Sequence, residues 1–414
     1  MWRKRFSSLP RQVLTTLALV ATLGATTWAK PKFKILHTVP GGLFSGLTFD
    51  TKGNLYGVTS AGGDDNQGTI FELTPGSQGW TLTTLHSFNG QDGGSPNGGL
   101  IFDAAGNMYG TTVAGGKAIY GGGTVFEMTP GSGGWTFNVL YEFCLQLHCP
   151  DGSAPEAGVI IDRAGTLYGT TSAGGEYGGG AAFELTRGSG GWKEALLYNF
   201  CGKPYCADGA TPYAPLIFGL VGHLYGTTAS GGKLSTSCYV GCGTVFKLQH
   251  PFGQDWKERV LYDFHGYDGQ GPLDAAITDS SGNLYGTTRG GGGSCEGEFC
   301  GVAFKLSRDQ RGNWEETMLY RFLNPAYGFY PSSALVFNKV GDLYGTTAQG
   351  GGGPCYNGCG VMYKLSPSSN GKWKYNVLHK FIGNSGTLPP GNLVLDEKGN
   401  IYGAAYGAVY EVTP

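Results

Sequence analysis

An aspartate in the pattern Asp-Gly-x-x-Pro recurs four times and is the repeated acid in this sequence best placed for chemistry. The four residues are Asp92, Asp151, Asp208 and Asp268. One interpretation is a turn in which the carboxylate accepts hydrogen bonds from its own backbone and the glycine completes the bend. The other is an incomplete ring of carboxylates near an axis, which would bind a cation or a polar ligand. Both interpretations place the aspartates in loops.

Single polar residues near these aspartates form a second set of candidates, because the surrounding pattern does not require them. They are His148, Tyr205, His265, Tyr267, Tyr327 and Tyr330. His265 precedes Asp268 by three residues, a spacing that would let the carboxylate orient a histidine base. A solvated loop histidine is the alternative. Aromatic rings and carboxylates in a glycine-rich groove would suit a carbohydrate, so we predict ligand-binding residues here and no catalytic residue.

Standard catalytic and nucleotide-binding signatures are absent from the sequence. It contains no Gly-x-Ser-x-Gly, no Gly-x-x-x-x-Gly-Lys-Ser/Thr and no His-Glu-x-x-His. Residues 64–66 (Asp-Asp-Asn) have the types of a calcium loop but lack its ligand spacing and terminal glutamate. With 28 basic and 30 acidic residues and no basic patch, nucleic acid is not an expected partner. We expect no metal and no cofactor.

Ten cysteines occur in close pairs along the chain. The pairs are Cys144/Cys149, Cys201/Cys206, Cys238/Cys242, Cys295/Cys300 and Cys355/Cys359. An even number of cysteines in an exported protein is typical of disulfides, so we predict five local bridges that staple loops. Metal binding is the alternative, but the usual two-residue spacing and a following histidine are missing.

The N-terminus has the features of a secretory signal peptide. Basic residues at 3–5 and Arg11 precede the apolar run 13–24, and Thr27 and Ala29 are spaced like a cleavage site. The run is shorter than the ~20 apolar residues of a membrane span, although an uncleaved anchor is the alternative. We predict a signal peptide at 1–29, a secreted or periplasmic bacterial protein, and no membrane span after cleavage.

The elements that position these residues come from one unit repeated seven times. Its most regular part is Leu-Tyr-Gly or a close variant, with the tyrosines Tyr56, Tyr109, Tyr168, Tyr225, Tyr285, Tyr344 and Tyr402. In residues 98–143, four short segments with strand alternation are separated by glycine-rich turns, and no helical period occurs. Four strands in each of seven units predict an all-β, seven-bladed β-propeller with antiparallel blades.

The chain ends predict how the ring closes. Residues 34–39 resemble a fourth strand and residues 408–413 a third strand. We therefore expect the N-terminal strand to complete the last blade, in one propeller domain over residues 33–414. Tryptophans at the start of each fourth strand and the repeated tyrosines are expected to pack between blades, where each buries a large apolar area. Sugar stacking is the alternative role for them.

The repeated motifs resemble known propeller families. Residues 279–285 (Asp-x-x-Gly-Asn-Leu-Tyr) are similar to the first hairpin of NHL and gluconolactonase-type blades. The Kelch-like part is carried by Gly115, Gly116, Val125, Pro130 and Trp135. The whole unit most resembles the GloVer tandem repeat of bacterial surface and secreted proteins, which implies no established activity. Gly219 in the fourth unit and Asn338 in the sixth replace the first aspartate, and we expect the blade itself to be kept there.

Loop placement indicates where a ligand would bind. The cysteine pairs lie between strands two and three or between strand four and the next strand one, and these loops share one face of a propeller. Long stapled loops on a rigid scaffold are typical binding elements. We therefore predict a monomeric, non-catalytic binding or scaffold module of the cell surface, with a glycan or protein ligand. The alternatives are an extracellular propeller enzyme, such as a polysaccharide lyase or lactone-cleaving hydrolase, and a structural surface-layer component.

Overall fold

Seven four-stranded antiparallel units arranged in a ring make up the described part of the protein. The computed structural model describes residues 30–42, 46–118, 121–219, 222–250, 255–293, 300–383, 389 and 391–414. The all-β, seven-bladed prediction is confirmed. The segment predicted as a signal peptide, residues 1–29, lies outside the described residues. Within the described ranges, no helix is both long enough and apolar enough to cross a membrane.

The strands follow the chain from blade to blade. Strand β1 (Lys32–Thr38) precedes blade 1, which has β2 (Thr48–Phe49), β3 (Leu55–Thr59), β4 (Thr69–Gly76) and β5 (Gly79–Ser87). Blade 2 has β6 (Ile101–Phe102), β7 (Met108–Thr112), β8 (Thr124–Gly131) and β9 (Gly134–Glu142). Blade 3 has β10 (Ile160–Ile161), β11 (Leu167–Thr171), β12 (Ala181–Gly188) and β13 (Gly191–Asn199). Blade 4 has β14 (Ile217–Phe218), β15 (Leu224–Thr228), β16 (Thr244–Gln249) and β17 (Lys257–Asp263).

The remaining blades complete the ring. Blade 5 has β18 (Ile277–Thr278), β19 (Leu284–Thr288), β20 (Val302–Arg308) and β21 (Trp314–Arg321). Blade 6 has β22 (Phe329–Pro331), β23 (Val336–Phe337), β24 (Leu343–Gln349), β25 (Val361–Pro367) and β26 (Trp373–Lys380), and both β22 and β23 pair with β24. Blade 7 has β27 (Val394–Leu395), β28 (Ile401–Ala405) and β29 (Ala408–Thr413). Short 3-10 helices lie at Pro204–Cys206 and Pro325–Tyr327.

A side-chain hydrogen-bond network sets the turn between the first two strands of a blade. In blade 2, Asp103 Oδ1 accepts hydrogen bonds from the backbone N–H groups of Ala105 (2.9 Å) and Asn107 (2.8 Å). Asn107 Nδ2 donates to the other carboxylate oxygen at 2.8 Å, and Gly106 takes the positive φ of +86° that the bend needs. This Asx-type turn explains the repeated Asp-x-x-Gly-Asn pattern.

The two units that lack the first aspartate keep the hairpin. In blade 6, Asn338 Oδ1 accepts from the backbone N–H groups of Val340 (3.0 Å) and Asp342 (2.9 Å). Asn338 Nδ2 donates to Asp342 Oδ2 at 3.1 Å, so amide and carboxylate have exchanged places in the same turn. In blade 4, the backbone N–H of Gly219 donates to the carbonyl of His223 at 2.8 Å without a side-chain acceptor at the first position.

Each blade has a glycine in its second strand, and an aromatic ring of the third strand packs directly over that glycine. A Cβ on Gly110 would lie 2.5 Å from Phe126 Cζ, so no larger residue fits. The same pairing recurs in every blade, as Gly57/Phe71, Gly169/Phe183, Gly226/Phe246, Gly286/Phe304, Gly345/Tyr363 and Gly403/Tyr410. Blades 6 and 7 thus carry tyrosine where the other five carry phenylalanine, and both hydroxyls are buried without a hydrogen-bond partner among the described residues.

Replacing Tyr410 by phenylalanine is expected to stabilise the protein by about 1 kcal/mol. A buried hydroxyl that makes no hydrogen bond costs roughly 1–3 kcal/mol of desolvation, and five blades show that phenylalanine fits this position. The measurement is the urea-unfolding midpoint of Tyr410→Phe. Tyr109→Phe is the matched control and is expected to lower the midpoint, because the Tyr109 hydroxyl donates to Glu127 Oε1 at 2.9 Å. A lower midpoint for Tyr410→Phe would contradict the explanation.

Aromatic contacts between neighbouring blades confirm the predicted packing role of the repeated tyrosines and tryptophans. Tyr56 of blade 1 meets Trp135 of blade 2 edge-on, with ring centroids 6.0 Å apart. Equivalent contacts are Tyr109/Trp192, Tyr168/Trp256, Tyr225/Trp314 and Tyr285/Trp373. Tyr402 of blade 7 meets Trp80 of blade 1 at 6.3 Å, which carries the same contact across the closure of the ring.

The N-terminal strand closes the ring as predicted. Strand β1 pairs antiparallel with β29, in a register from Lys32 opposite Thr413 to Thr38 opposite Ala408. The ring of Phe33 stacks on His379 of blade 6 at 3.7 Å and lies near Tyr410 of blade 7. The last blade therefore combines strands from both parts of the chain, in the order β1-β29-β28-β27.

Candidate functional site

Two classes of loop meet on one face of the ring. The loop that enters each blade and the loop between its second and third strands pair through short backbone bridges, such as Gly94 with Ala114 and Ser153 with Ala173. The backbone N–H of Gly94 donates to the carbonyl of Ala114 at 2.7 Å. We call this the cysteine-bearing face, because the cysteine pairs lie in these loops. The opposite face carries the short turns between strands one and two and between strands three and four.

Disulfides staple the loops of the cysteine-bearing face. Four predicted bridges are present, namely Cys144–Cys149, Cys201–Cys206, Cys238–Cys242 and Cys355–Cys359. Cys300 is also disulfide-bonded, and its predicted partner Cys295 lies outside the described residues. Two of these bridges restrict the loops that carry four of the predicted site residues, namely His148, Asp151, Tyr205 and Asp208.

The four repeated aspartates bind their own loops and the end of the preceding blade. Asp208 accepts from the hydroxyl of Tyr198 at 2.7 Å and from the backbone N–H of Gly202 at 2.9 Å. Equivalent polar contacts join Asp92 to His86, Asp151 to Tyr141 and Asp268 to Tyr262. The bond from the loop backbone is of the kind that the turn interpretation predicts, whereas the contacts with the tyrosine hydroxyls and the imidazole were not predicted. The four carboxylates lie between blades, and none lines the cavity at the ring axis.

His265 lies beside Asp268, as its spacing suggested. The backbone N–H of His265 donates to Asp268 Oδ1 at 2.7 Å, and its Nδ1 lies 3.1 Å from Asp268 Oδ2. The imidazole stacks loosely on Tyr267, with ring centroids 6.0 Å apart. This cluster belongs to the loop between blades 4 and 5, away from the axis. Its participation in ligand binding stays a prediction.

Exposed tyrosines stand at the tips of the stapled loops. Tyr205 lies between two bridged cysteines and is 80% exposed, and Tyr239 and Tyr356 occupy similar tips with 88% exposure each. His148 has the corresponding place in the Cys144–Cys149 loop. Tyr327 is also exposed, and its carbonyl accepts a hydrogen bond from the hydroxyl of Tyr375. The rim of the cysteine-bearing face is thus rich in accessible aromatic rings.

A cavity of about 630 Å³ opens where all seven blades meet, at the axis of the ring. Its wall consists mainly of the residues that precede the first strand of each blade. The lining residues are Gly46, Asn97, Gly98, Gly99, Glu156, Ala157, Gly158, Tyr213, Pro215, Leu273, Asp274, Ala275, Arg289, Tyr330, Pro331, Ser332, Ala348, Gln349 and Asn392. Since these residues lie in or beside loops of the cysteine-bearing face, the cavity belongs to that face. We call it the axial cavity.

The two acids of the axial cavity have raised pKa values. Burial raises the pKa of Asp274 to about 7, although the positive charge of Arg289 opposes the shift. Burial also raises the pKa of Glu156, against a hydrogen bond of 3.1 Å donated by Asn97 Nδ2. The guanidinium carbon of Arg289 lies 4.0 Å from the ring centroid of Tyr330. Shifted acids next to an arginine and aromatic rings are typical of ligand sites.

The structure brings one predicted site residue, Tyr330, into the axial cavity and adds several that the sequence analysis missed. Asp274, Arg289, Glu156 and Tyr213 were not among the candidates. A signal was present, because the positions just after the proline that enters each blade differ strongly between repeats. They include Asn97, Glu156, Tyr213, Leu273 and Ser332 in an otherwise regular frame, and Asp274 follows one position later. Variation inside a constant scaffold marks positions free to adapt to a ligand.

Buried glutamates accompany the repeated aspartates at three successive blade junctions. They are Glu194, Glu258 and Glu316, and one carboxylate oxygen of each is buried without a partner among the described residues. Burial, followed by the charge of Asp151, raises the pKa of Glu194 to about 7. Burial and the charge of Asp268 raise the pKa of Glu316 to about 7. Glu258 has a counter-ion, because Lys203 Nζ donates to its Oε2 at 2.9 Å.

A sequence profile matches nearly the whole chain. The profile of the Gloeobacter/Verrucomicrobia repeat aligns with residues 24–240 and again with residues 234–413. The chain belongs to this repeat family. The resemblance inferred from the repeated unit is therefore confirmed. A search of curated protein sequences finds no match to this member of the Gloeobacter/Verrucomicrobia repeat family.

Solved structures share the fold of this repeat protein. A streptogramin B lyase has 13% sequence identity and a TM-score of 0.57, over 93% of this chain and 98% of the lyase. A candidate 6-phosphogluconolactonase from Bacteroides uniformis has 14% identity and a TM-score of 0.51, over 88% and 89% of the two chains. The extracellular domain of a candidate one-component system from B. thetaiotaomicron has 11% identity and a TM-score of 0.52, over 91% of this chain and 39% of that one. At these identities the similarity is one of fold.

Proposed function

We propose that this repeat protein is an extracellular or periplasmic binding module that holds a glycan in the axial cavity without transforming it. The observation that carries the proposal is the cavity itself, which gathers side chains from all seven blades in about 630 Å³. Ligand sites typically occupy 300–1,000 Å³ and combine apolar walls with a few polar groups. Amides of Asn97, Gln349 and Asn392 and the rings of Tyr213 and Tyr330 supply both kinds of contact.

The disulfides and the exposed rim support the same proposal. Disulfides persist in oxidising compartments, which favours a location outside the cytoplasm. The tyrosines at the stapled tips offer flat apolar faces with a hydroxyl, at a small cost in conformational entropy. A glycan longer than the axial cavity would extend outward over this rim. A protein ligand is the other outcome that a binding screen would reveal.

Filling the axial cavity is expected to abolish glycan binding. A Cβ on Gly99 would point into open space, so Gly99→Trp places an indole in the cavity without a backbone clash. The measurement is binding to a glycan array, followed by calorimetric titration of each hit, with at least a tenfold loss of affinity expected. Gly133→Trp is the matched control, because Gly133 is equally unobstructed but lies in a turn of the opposite face. Equal binding by both variants would refute the axial site.

An extracellular enzyme is the second candidate, and Asp274 is the observation that favours it. A carboxyl with a pKa of about 7 can exchange a proton at neutral pH. It shares the axial cavity with Arg289 and Tyr330, and the enzyme classes that this second candidate names are a polysaccharide lyase and a lactone-cleaving hydrolase. The test is a turnover screen with the glycans that bind. Product formation that Asp274→Asn abolishes while binding persists would replace the binding module by the enzyme.

A further inference from the structure

Arg289 in the axial cavity forms no ion pair within 4.0 Å among the described residues, although Asp274 of the same cavity interacts with it electrostatically. Lysines and histidines elsewhere on the described surface form ion pairs of 2.9–3.5 Å, but no described carboxylate oxygen lies within 4.0 Å of the Arg289 guanidinium. Its side chain is exposed to the cavity that it lines. A guanidinium remains charged at every physiological pH and offers a planar pair of donors that matches a carboxylate. The guanidinium therefore keeps donors that no described carboxylate occupies, although Asp274 offsets part of its charge.

The position of that charge is restrained. The backbone N–H of Arg289 donates to the carbonyl of Gly271 at 3.0 Å, and the next residue, Gly290, pairs with Gln270 in both directions at 2.9 Å. The guanidinium carbon lies 4.0 Å from the ring centroid of Tyr330. The ring is itself held, since the backbone N–H of Tyr330 donates to the carbonyl of Cys300 at 3.1 Å. A stacked arginine loses less freedom when it binds an anion, which favours affinity.

The acids around Arg289 limit the charge of the ligand. Asp274 and Glu156 line the same cavity, and both have raised pKa values because of burial. Acids that hold protons more tightly repel an anion less, and their protonated forms can donate hydrogen bonds. One arginine in a cavity with two such acids can neutralise a single negative charge, whereas a dianionic phosphate would need more positive charge than the cavity offers. The polar amides and the tyrosine rings suit the rest of a sugar.

We propose that the axial cavity selects sugars that carry a carboxylate, namely uronic acid residues, and that the Arg289 guanidinium binds this carboxylate through two hydrogen bonds. The proposal rests on the glycan-binding function proposed above and adds the chemical class of the ligand. Asn97 and Asn392 also line the cavity; one amide atom of each bonds within the protein, at Glu156 and at the backbone of Ala334, and the other is left for a ring hydroxyl, as is the amide of Gln349. Arg289 is a specificity-determining residue in this view.

The test compares one sugar in charged and uncharged form. The probes are trigalacturonic acid, its fully methyl-esterified form and a sulfated trisaccharide, each titrated calorimetrically into the wild-type protein and into Arg289→Gln. We expect the wild type to bind the acid at least tenfold more tightly than the ester, and Arg289→Gln to remove that difference. Arg289→Lys is expected to restore part of it, since it returns the charge without the fork. Arg308→Gln is the matched control, because Arg308 also stacks on an aromatic ring, Trp314, at 4.8 Å, outside the cavity.

Each outcome separates this inference from the glycan-binding function. Equal binding of acid and ester by the wild type, with both sensitive to Gly99→Trp, would overturn the inference and leave the glycan site standing. A preference for the sulfated sugar, or a preference for the acid that survives Arg289→Gln, would also overturn it. If no glycan of either kind binds, the proposed function fails and the inference fails with it. Loss of the acid preference in Arg308→Gln would show that the effect is not specific to the axial cavity.

Discussion

Replacement of Gly123 by alanine is expected to lower the free energy of unfolding by about 3 kcal/mol. Gly123 precedes β8 with φ of +90°, where a side chain adds backbone strain of roughly 1–3 kcal/mol. Its Cβ would also overlap the carbonyl oxygen of Thr112 and lie 2.7 Å from Cδ of Pro155, which leads into blade 3. Overpacking of this kind typically costs 1–3 kcal/mol more. Equilibrium urea unfolding, followed by tryptophan fluorescence, measures the loss.

Gly165→Ala separates the two contributions. Gly165 has a similar φ of +84°, but an added Cβ would have nothing within 4 Å. We expect this control to cost about 1 kcal/mol, because only backbone strain is added. The difference between the two variants measures the close contacts of Gly123 with Thr112 of its own blade and with Pro155, which leads into blade 3. If Gly165→Ala and Gly123→Ala were equally destabilising, the close approach of blades 2 and 3 would not explain the glycine.

Stability is expected to fall as the pH rises from 5 to 8, because of the buried glutamates at the blade junctions. The pKa of Glu194 and that of Glu316 rise from an ordinary 4.5 to about 7 in the folded protein. A carboxyl with a higher pKa when folded binds its proton more tightly in that state. Its stabilising contribution is therefore complete below about pH 4.5 and is lost as the pH rises through about 7. The urea midpoints at pH 5 and pH 8 are the measurement, and Glu194→Gln is expected to reduce their difference.

The next blade junction along the ring suggests a substitution that would reduce the loss of stability at high pH. Gln146 occupies the third position of its cysteine loop, as Lys203 does in the following one, and the first cysteine of each loop has a similar positive φ of 62° and 66°. Lys203 donates to Glu258 at 2.9 Å. Gln146→Lys is therefore expected to give Glu194 a counter-ion and to stabilise the protein at pH 8 by about 1.5 kcal/mol, the value of a charge-assisted hydrogen bond.

The reverse substitution provides the control. Lys203→Gln removes the counter-ion of Glu258, whose side chain is fully buried, and is expected to lower stability more at pH 8 than at pH 5. A gain for Gln146→Lys of the same size at both pH values would contradict the explanation, because only the ionised glutamate attracts the lysine. Loss of stability in Gln146→Lys at pH 8 would contradict it as well.

The architecture was predictable because each blade repeats a local pattern. The turn of Asp103 and Asn107 and the glycine beneath Phe126 depend on neighbours close in sequence or on the adjacent strand. The split last blade was predictable too, because β1 looks like a fourth strand and β29 like a third. The disulfides followed from close pairing of cysteines. These features are determined within one unit, and seven copies make the pattern unambiguous.

The candidate site was predictable only in part. The sequence analysis placed it on the cysteine-bearing face and named Tyr330, which lines the axial cavity. The repeated aspartates were favoured as ligand-binding residues because they recur. In the structure, Asp208 and its equivalents accept hydrogen bonds from a tyrosine hydroxyl, or contact the imidazole of a histidine, at the end of the preceding strand. Asp274 and Arg289 did not attract notice because each occurs in only one repeat. A residue that recurs in the same position of several repeats indicates a structural requirement of the blade. The axial cavity is lined by positions whose residues differ from repeat to repeat.

The amino-acid sequence by itself determined the blade, the number of blades and the strand that closes the ring, because alternation and turn chemistry act over short distances. The tertiary structure alone decided which side chains face one another at the axis. Asn97, Glu156, Tyr213, Asp274 and Asn392 come from five separate blades and line one cavity only when the ring is closed. Their proximity is a property of the closed circle of sheets, and no single repeat contains the information that specifies it.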